Sequence, residues 1–152
     1  MGAPFSPARS LKPLSRPNLS CPCGSGRPLA QCCGPALDGA RPATTPEALM
    51  RSRYTAFCQG NADYLLASWH PTTRPPRLDL SEPPVPKWIG LAILAAPPAT
   101  GDQGQVEFLA RYRVGGRAQR LHERSRFLLE GGRWYYLDGE ILEPSPGGPG
   151  AC

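Results

Sequence analysis

No apolar run in this chain of 152 residues approaches the length of a membrane span, and its first twenty residues lack the apolar stretch of a signal peptide. Both absences point to the cytoplasm as the expected compartment, with no membrane partner. Acidic residues are missing from MGAPFSPARSLKPLSRPNLS, which carries several prolines and little apolar periodicity, so residues 1–20 read as a disordered basic extension. Lysine is scarce as well. Only Lys12 and Lys87 occur, so the formal charge of +5 rests almost entirely on arginine. That charge permits contact with anionic partners such as RNA or acidic proteins and decides little more. Cysteine is nearly absent after residue 33, where only Cys58 and Cys152 follow, which argues against a disulfide-stapled secreted scaffold. The length supports one domain with a modest core and an appended piece.

The sulfur that is present is concentrated. Cys21 to Pro35 reads CPCGSGRPLAQCCGP, with Cys21 and Cys23 forming one close pair and Cys32 and Cys33 the other, across a glycine-containing turn. Four thiolates so spaced can converge on one point, and Zn²⁺ takes tetrahedral sulfur ligands from two such turns in structural sites. Pro22 restricts the backbone between the first two ligands. Gly24 and Gly26 allow backbone angles that a bulkier residue resists, and Arg27 adds positive charge nearby. The competing readings are a disulfide, which neighbouring cysteines form badly, and free thiols. The expectation is one structural zinc ion with no open coordination position.

CPCGSG followed by a basic turn and QCCG resembles the SEC-C motif, best known from the tail of the SecA preprotein translocase ATPase. A histidine commonly takes the fourth position there, and this chain has Cys33. Further along, EALMRSRYTAF, DYLLASWHP, VEFLARYR, HERSRF and GRWYYLDG resemble the YchJ family of bacterial proteins, a likeness running from Cys21 to Asp138. It implies a SEC-C zinc motif joined to a cone-shaped nuclear transport factor 2-like domain whose ligand it does not specify. In SecA the motif serves binding to the SecB chaperone, so the resemblance implies a protein partner here: a chaperone, a translocase or the ribosome.

The chain divides accordingly into the motif at 21–35, a linker at 36–43, the cone at 44–143 and a flexible tail at 144–152 ending in a solvated Cys152. A motif joined by a linker is expected to be separable from the core that follows. TTPEALMRSRYTAFCQG predicts a helix capped by Thr44 or Thr45, with Glu47 placed for a capping box and Gly60 as its end. Leu49, Met50, Tyr54, Phe57 and Cys58 form its apolar face, which makes Cys58 a core thiol. Asn61 caps a second helix, ADYLLASWH, stopped by Pro71. Thr72 to Pro86 reads as an irregular loop. KWIGLAIL, QVEFLARYRV, AQRLHERSRFLLE and RWYYLDG then read as four strands, so the fold class is α+β: two helices packed on a curved antiparallel sheet.

Two-residue loops at Gly115-Gly116 and Gly131-Gly132 place Tyr112 opposite Gln119, Phe108 opposite Glu123, Leu129 opposite Trp134, Phe127 opposite Tyr136 and Ser125 opposite Asp138. The inner face then holds Val106, Phe108, Ala110, Tyr112, Leu121, Phe127, Leu129, Trp134 and Tyr136 with three polar groups, Glu123, Ser125 and Asp138. Glu123 on an apolar face must be paired, hydrated or protonated. Either an arginine answers it, from Arg51 or Arg53 of the first helix or an inward-turned Arg113, or a pocket exists. The pocket's aromatic floor would be Phe108, Tyr112, Trp134 and Tyr136, with Tyr54 and the helix arginines above it and Glu123, Ser125, Asp138 and His70 at its polar end. His70 reads equally as a helix-terminal histidine. By strand parity His122 faces outward in a row with Arg120, Arg124 and Arg126, and Arg111 lies opposite Arg120.

Three function classes follow. One is a binding or adaptor protein acting through the motif, with a small-molecule ligand in the cone. Another is an isomerase-, dehydratase- or hydrolase-type enzyme using Glu123, Asp138 or His70, which fold analogy alone does not establish. The third is an RNA or ribosome binder using the arginine row, weakened by the lack of interleaved aromatic platforms. Pairing of two copies through the open sheet face is compatible with all three.

Overall fold

The computed structural model of the chain describes residues 19–143; the basic extension as far as residue 18 and the tail from 144, with Cys152, lie outside them. A short 3-10 turn, Leu29–Gln31, leads into helix α1, Gly34–Leu37; then come α2, Pro46–Gln59, and α3, Ala62–Ala67. Strands β1, Lys87–Ala95, β2, Gln103–Val114, β3, Arg117–Glu130, and β4, Arg133–Glu143, form one antiparallel sheet in chain order. Three helices and an open four-stranded sheet make an α+β fold. No helix among the described residues is long and apolar enough to cross a membrane.

The glycine pairs do the work that the pattern assigns them. Gly115 and Gly116, and likewise Gly131 and Gly132, all take positive φ, the geometry that closes a hairpin in two residues. The β2–β3 pairing follows directly: Tyr112 faces Gln119, Ala110 faces Leu121 and Phe108 faces Glu123. Beside the second turn, Leu129 faces Trp134 and Phe127 faces Tyr136. The register then departs from expectation. Leu137 is an extra residue in β4, so Arg126 rather than Ser125 meets the Asp138 position and Ser125 faces Gly139. Such a bulge turns the side chains that follow it to the other face as far as a second irregularity at Leu142, and Asp138 leaves the interior.

Helix α2 lies across the inner face. The Thr45 hydroxyl accepts from the Ala48 amide at 3.0 Å and Gly60 ends the helix in the left-handed region at φ 70°. The capping residue is thus Thr45, and Glu47 pairs with Arg51 at 2.9 Å instead of closing a capping box. Leu49, Met50 and Tyr54 are buried as expected, but so are Ser52, Arg53, Thr55 and Ala56, while Cys58 is exposed. The helix is covered on two sides, by the sheet and by α3 with the cysteine segment, so a single amphipathic stripe misplaces Cys58. Gly104 lets the start of α2 approach β2, since a Cβ there would collide with the Pro46 ring. Helix α3 is shorter than its pattern, because Ser68 to His70 leave it to pair with the edge of β4. The Tyr136 amide donates to the Ser68 carbonyl at 2.8 Å and the His70 amide to the Tyr136 carbonyl at 2.7 Å, which protects an otherwise open edge.

Candidate functional site

The cysteine segment is held by its own backbone before any metal is considered. The Leu29 amide donates to the Leu19 carbonyl at 2.7 Å and the Cys21 amide to the Arg27 carbonyl at 2.9 Å, closing a small ribbon. Gly24, at φ 81°, lies so close to β1 that a Cβ would stand 3.2 Å from the Leu91 carbonyl oxygen. Cys32 follows the 3-10 turn and Cys33 precedes α1, which delivers the second pair of sulfurs. The Sγ atoms of Cys21, Cys23, Cys32 and Cys33 all lie within 4.8 Å of one another. Cys23 and Cys32 are 3.6 Å apart and Cys32 and Cys33 4.0 Å. A tetrahedron with ligands about 2.3 Å from its centre has edges of about 3.8 Å, so the donor set fits a zinc-sized cation with all four positions filled by protein. The thiols also polarise one another. Contacts from Cys21 and then Cys33 draw the Cys23 thiol far below its ordinary range, while Cys21 and Cys23 push Cys33 far above its own. Crowded thiols resist sharing more than one negative charge, and a divalent cation removes that conflict.

Partners of the sulfurs come from outside the motif. The Arg51 guanidinium donates to the Cys23 carbonyl at 2.9 Å and approaches its sulfur at 3.7 Å, and the Thr55 hydroxyl lies 3.6 Å from the Cys21 sulfur. Within the motif the Ser25 hydroxyl lies 3.1 Å from the Cys32 sulfur. Arg27, the cation adjacent in sequence, is exposed. Cys21, Cys23 and Cys33 are buried in the same cluster as Leu49, Met50, Tyr54 and Phe108, which corrects the expectation of a motif contributing little to the core. Arg51 and Thr55, one turn apart on α2, were legible only as helix-surface spacing until a partner was known.

The proposed pocket residues scatter. Arg51 belongs to the cysteine cluster. Tyr54 packs edge-on against Trp88, and Tyr112 packs against the same indole. Phe108 and Trp134 are core. His70 is buried at the β4 edge, its Nε2 on Glu130 and its Nδ1 2.7 Å from the Thr72 hydroxyl. Asp138 is bidentate to Arg126 on the outer face at 2.6 and 2.7 Å, which holds its carboxyl below the usual range. Arg113 is exposed, not inward-turned.

Four residues do meet. The Ser125 hydroxyl donates to Glu123 at 2.8 Å, and the Tyr136 hydroxyl interacts with the same carboxylate. Arg53, 3% exposed, lies over the Tyr136 ring at 4.4 Å and over Trp69 at 5.1 Å. Its Nη1 donates to the Leu65 carbonyl at 2.8 Å and to the Ser68 hydroxyl at 2.6 Å. Burial lowers Arg53 to about 10 and raises Glu123, against the pull of Ser125 and Arg53. Tyr136 is pushed up to about 12, by burial first and then by the Glu123 charge. Glu123 is answered by the Ser125 and Tyr136 hydroxyls and by the charge of buried Arg53, a mixture of the two readings offered by the sequence. The buried Trp69 indole N–H has no acceptor among the described residues.

A cleft of about 560 Å³ opens beside the cysteine cluster. The motif side supplies Ser25, Arg27, Gln31 and Cys32, α2 supplies Glu47, Ala48 and Arg51 with its cap Thr45, and Arg41 closes it from the connecting segment.

The family model for the YchJ middle NTF2-like domain matches residues 45–139, and the SEC-C motif matches residues 18–35. A UPF0225 protein of Chromobacterium violaceum is 53% identical over 135 residues, covering 86% of this chain and 99% of its own. One from Xanthomonas campestris pv. campestris is 51% identical over 125 residues, covering 82% and 96%. The solution structure of a SEC-C motif containing protein from Rhodopseudomonas palustris superposes with a TM-score of 0.73 at 39% identity, covering 82% of this chain and all of that one. A crystal structure of a SEC-C motif containing protein from Psychrobacter arcticus gives 0.68 at 27% identity, covering 84% and 85%. With both matches in the order motif then cone, and relatives alike over nearly their whole length, the chain belongs to the UPF0225 family, in which a SEC-C motif precedes a YchJ-type NTF2-like domain.

Proposed function

We propose that this chain is a zinc-containing adaptor of the cytosol, in which one structural zinc holds the cysteine knuckle and the cleft between knuckle and α2 receives a protein partner. That composite cleft carries the reading. A site with four thiolate ligands keeps no position open for a substrate, so the metal's role is to shape one wall of the cleft. Arg27 and Arg41 are exposed in it, and Glu47, the single carboxylate of the lining, is already paired with Arg51. The excess of positive charge favours an acidic segment of the partner. Thiolate ligation of zinc suits a reducing compartment. Of the three candidates for the enzyme alternative, Glu123 lies in the interior, while Asp138 lies on the outer face and His70 at the β4 edge.

The test is capture from the native lysate at low salt with zinc-loaded protein, beside an Arg27→Glu/Arg41→Glu variant of equal zinc content. A protein held by the first and lost by the second supports the adaptor reading. If every captured protein binds both equally, the cleft is not the partner's seat.

A further inference from the structure

The outer face of the sheet is divided by charge. Toward its lower end each cation has a carboxylate: His122 and Arg124 lie on Glu107 at 2.7 and 3.8 Å, Arg124 also reaches Glu140 at 3.6 Å, and Arg126 holds Asp138. Two rungs nearer the β2–β3 turn are different. Lys87, Arg113 and Ala118 form one, and Gly90, Arg111 and Arg120 the next. Arg120 has a partner of its own, but exposed Lys87, Arg111 and Arg113 have no carboxylate within ion-pair distance among the described residues. Like charges set opposite one another across strands destabilise a sheet, so Lys87 opposite Arg113 costs stability until an anion covers the pair. Gly90 and Ala118 are the other residues of these rungs, and Ile89, exposed at the irregularity between them, is the large apolar side chain beside the cations.

We propose that this end of the outer face, centred on Arg111 and Arg113, docks the phosphate backbone of nucleic acid without reading its sequence. Arg111 and Arg113 share one strand face about 6.8 Å apart, twice the rise per residue. With their backbone positions so spaced, the two exposed guanidinium forks can each reach one of two neighbouring phosphates, which recur regularly along a nucleic-acid backbone. The scattered carboxylates of a folded protein match a fixed repeat less well. No Phe, Tyr or Trp lies in these rungs, so bases are not stacked and contacts go to phosphate alone. A second copy is a poor occupant, because a two-fold interface would set these arginines against themselves. The chain's own outlying segments are poor occupants too: residues 1–18 carry cations and no acid, and 144–152 carry no acidic side chain.

The experiment measures binding of a fluorescent RNA hairpin of about twenty base pairs to the full zinc-loaded chain between 50 and 200 mM salt, a range in which phosphate contacts weaken steeply. Log affinity should fall linearly with log salt, and Arg111→Gln/Arg113→Gln should make that slope shallower by about two. Arg27→Gln/Arg41→Gln, which removes the same net charge from the cleft, should leave it unchanged. No binding by the wild type, an unchanged slope in the Arg111/Arg113 variant, or a loss confined to the cleft variant overturns the proposal. So does polyglutamate competing as well as unlabelled RNA, which would assign the face to an acidic protein.

Discussion

A Cβ on Gly139 would collide with the carboxylate of Glu123, across the β3–β4 pairing. The glycine is there because the bulge at Leu137 brings position 139 opposite Ser125, and the Glu123 side chain leans over it to reach the Ser125 hydroxyl.

Gly139→Ala should therefore displace Glu123 and break its bond to Ser125, costing about 1 kcal/mol in urea unfolding. Glu123→Ala in the same chain should remove most of that added cost. Simple additivity of the two changes in a double-mutant cycle would show that the residues do not interact.

Glu123→Gln should cost less than about 1 kcal/mol at neutral pH, since the amide oxygen still accepts from Ser125 and no directly paired arginine is left behind. The pH dependence has a definite sign. Burial raises the folded-state value of Glu123 above its ordinary 4.5, so the folded protein holds this proton more tightly than the unfolded chain. The wild type then loses stability as pH rises from about 4.5 through the raised value. Melts at pH 4 and pH 7.5 should show the variant gaining on the wild type toward neutral pH. A wild type that gains instead would mean that Arg53 fully compensates the carboxylate.

Protein expressed without added zinc should contain about one equivalent by metal analysis, and Cys33→Ser should lose it. Because Cys21, Cys23 and Cys33 lie in the main buried cluster, chelation should lower the melting temperature of the whole protein. Loss of structure confined to the motif, with the sheet and α2 melting as before, would restore the separable-module picture.

Arg51→Ala and Thr55→Val should each weaken zinc retention, by about 10- to 100-fold for an outer-shell partner, because they remove the guanidinium beside Cys23 and the hydroxyl beside Cys21. Arg27→Ala should change it far less. Zinc transfer to a colorimetric chelator measures all three, and equal rates for Arg51→Ala and the wild type would leave the α2 contacts without a role at the metal.

The sequence by itself determined what depends on near neighbours. Two glycine pairs set the registers beside their turns, and strand alternation then put Phe108, Phe127, Trp134 and Glu123 on one face and His122 on the other. The four sulfurs converge because two short turns deliver them in pairs. What the tertiary structure decided depends on contacts between segments far apart in the chain. The bulge at Leu137, whose carbonyl accepts from the Thr73 hydroxyl at 2.6 Å, has its one local trace in Gly139, which reads as an ordinary turn glycine until Glu123 is seen to lean over it, yet it moved Asp138 outward. Arg51 and Arg53 read alike as helix arginines two residues apart. A separation of two turns them about 200° around an α-helix, so Arg51 meets the cysteine cluster while Arg53 enters the interior beneath α3. Which arginine went where, and why Cys58 stayed at the surface, followed from what packs on each side of α2, and periodicity within one helix holds no information about its neighbours.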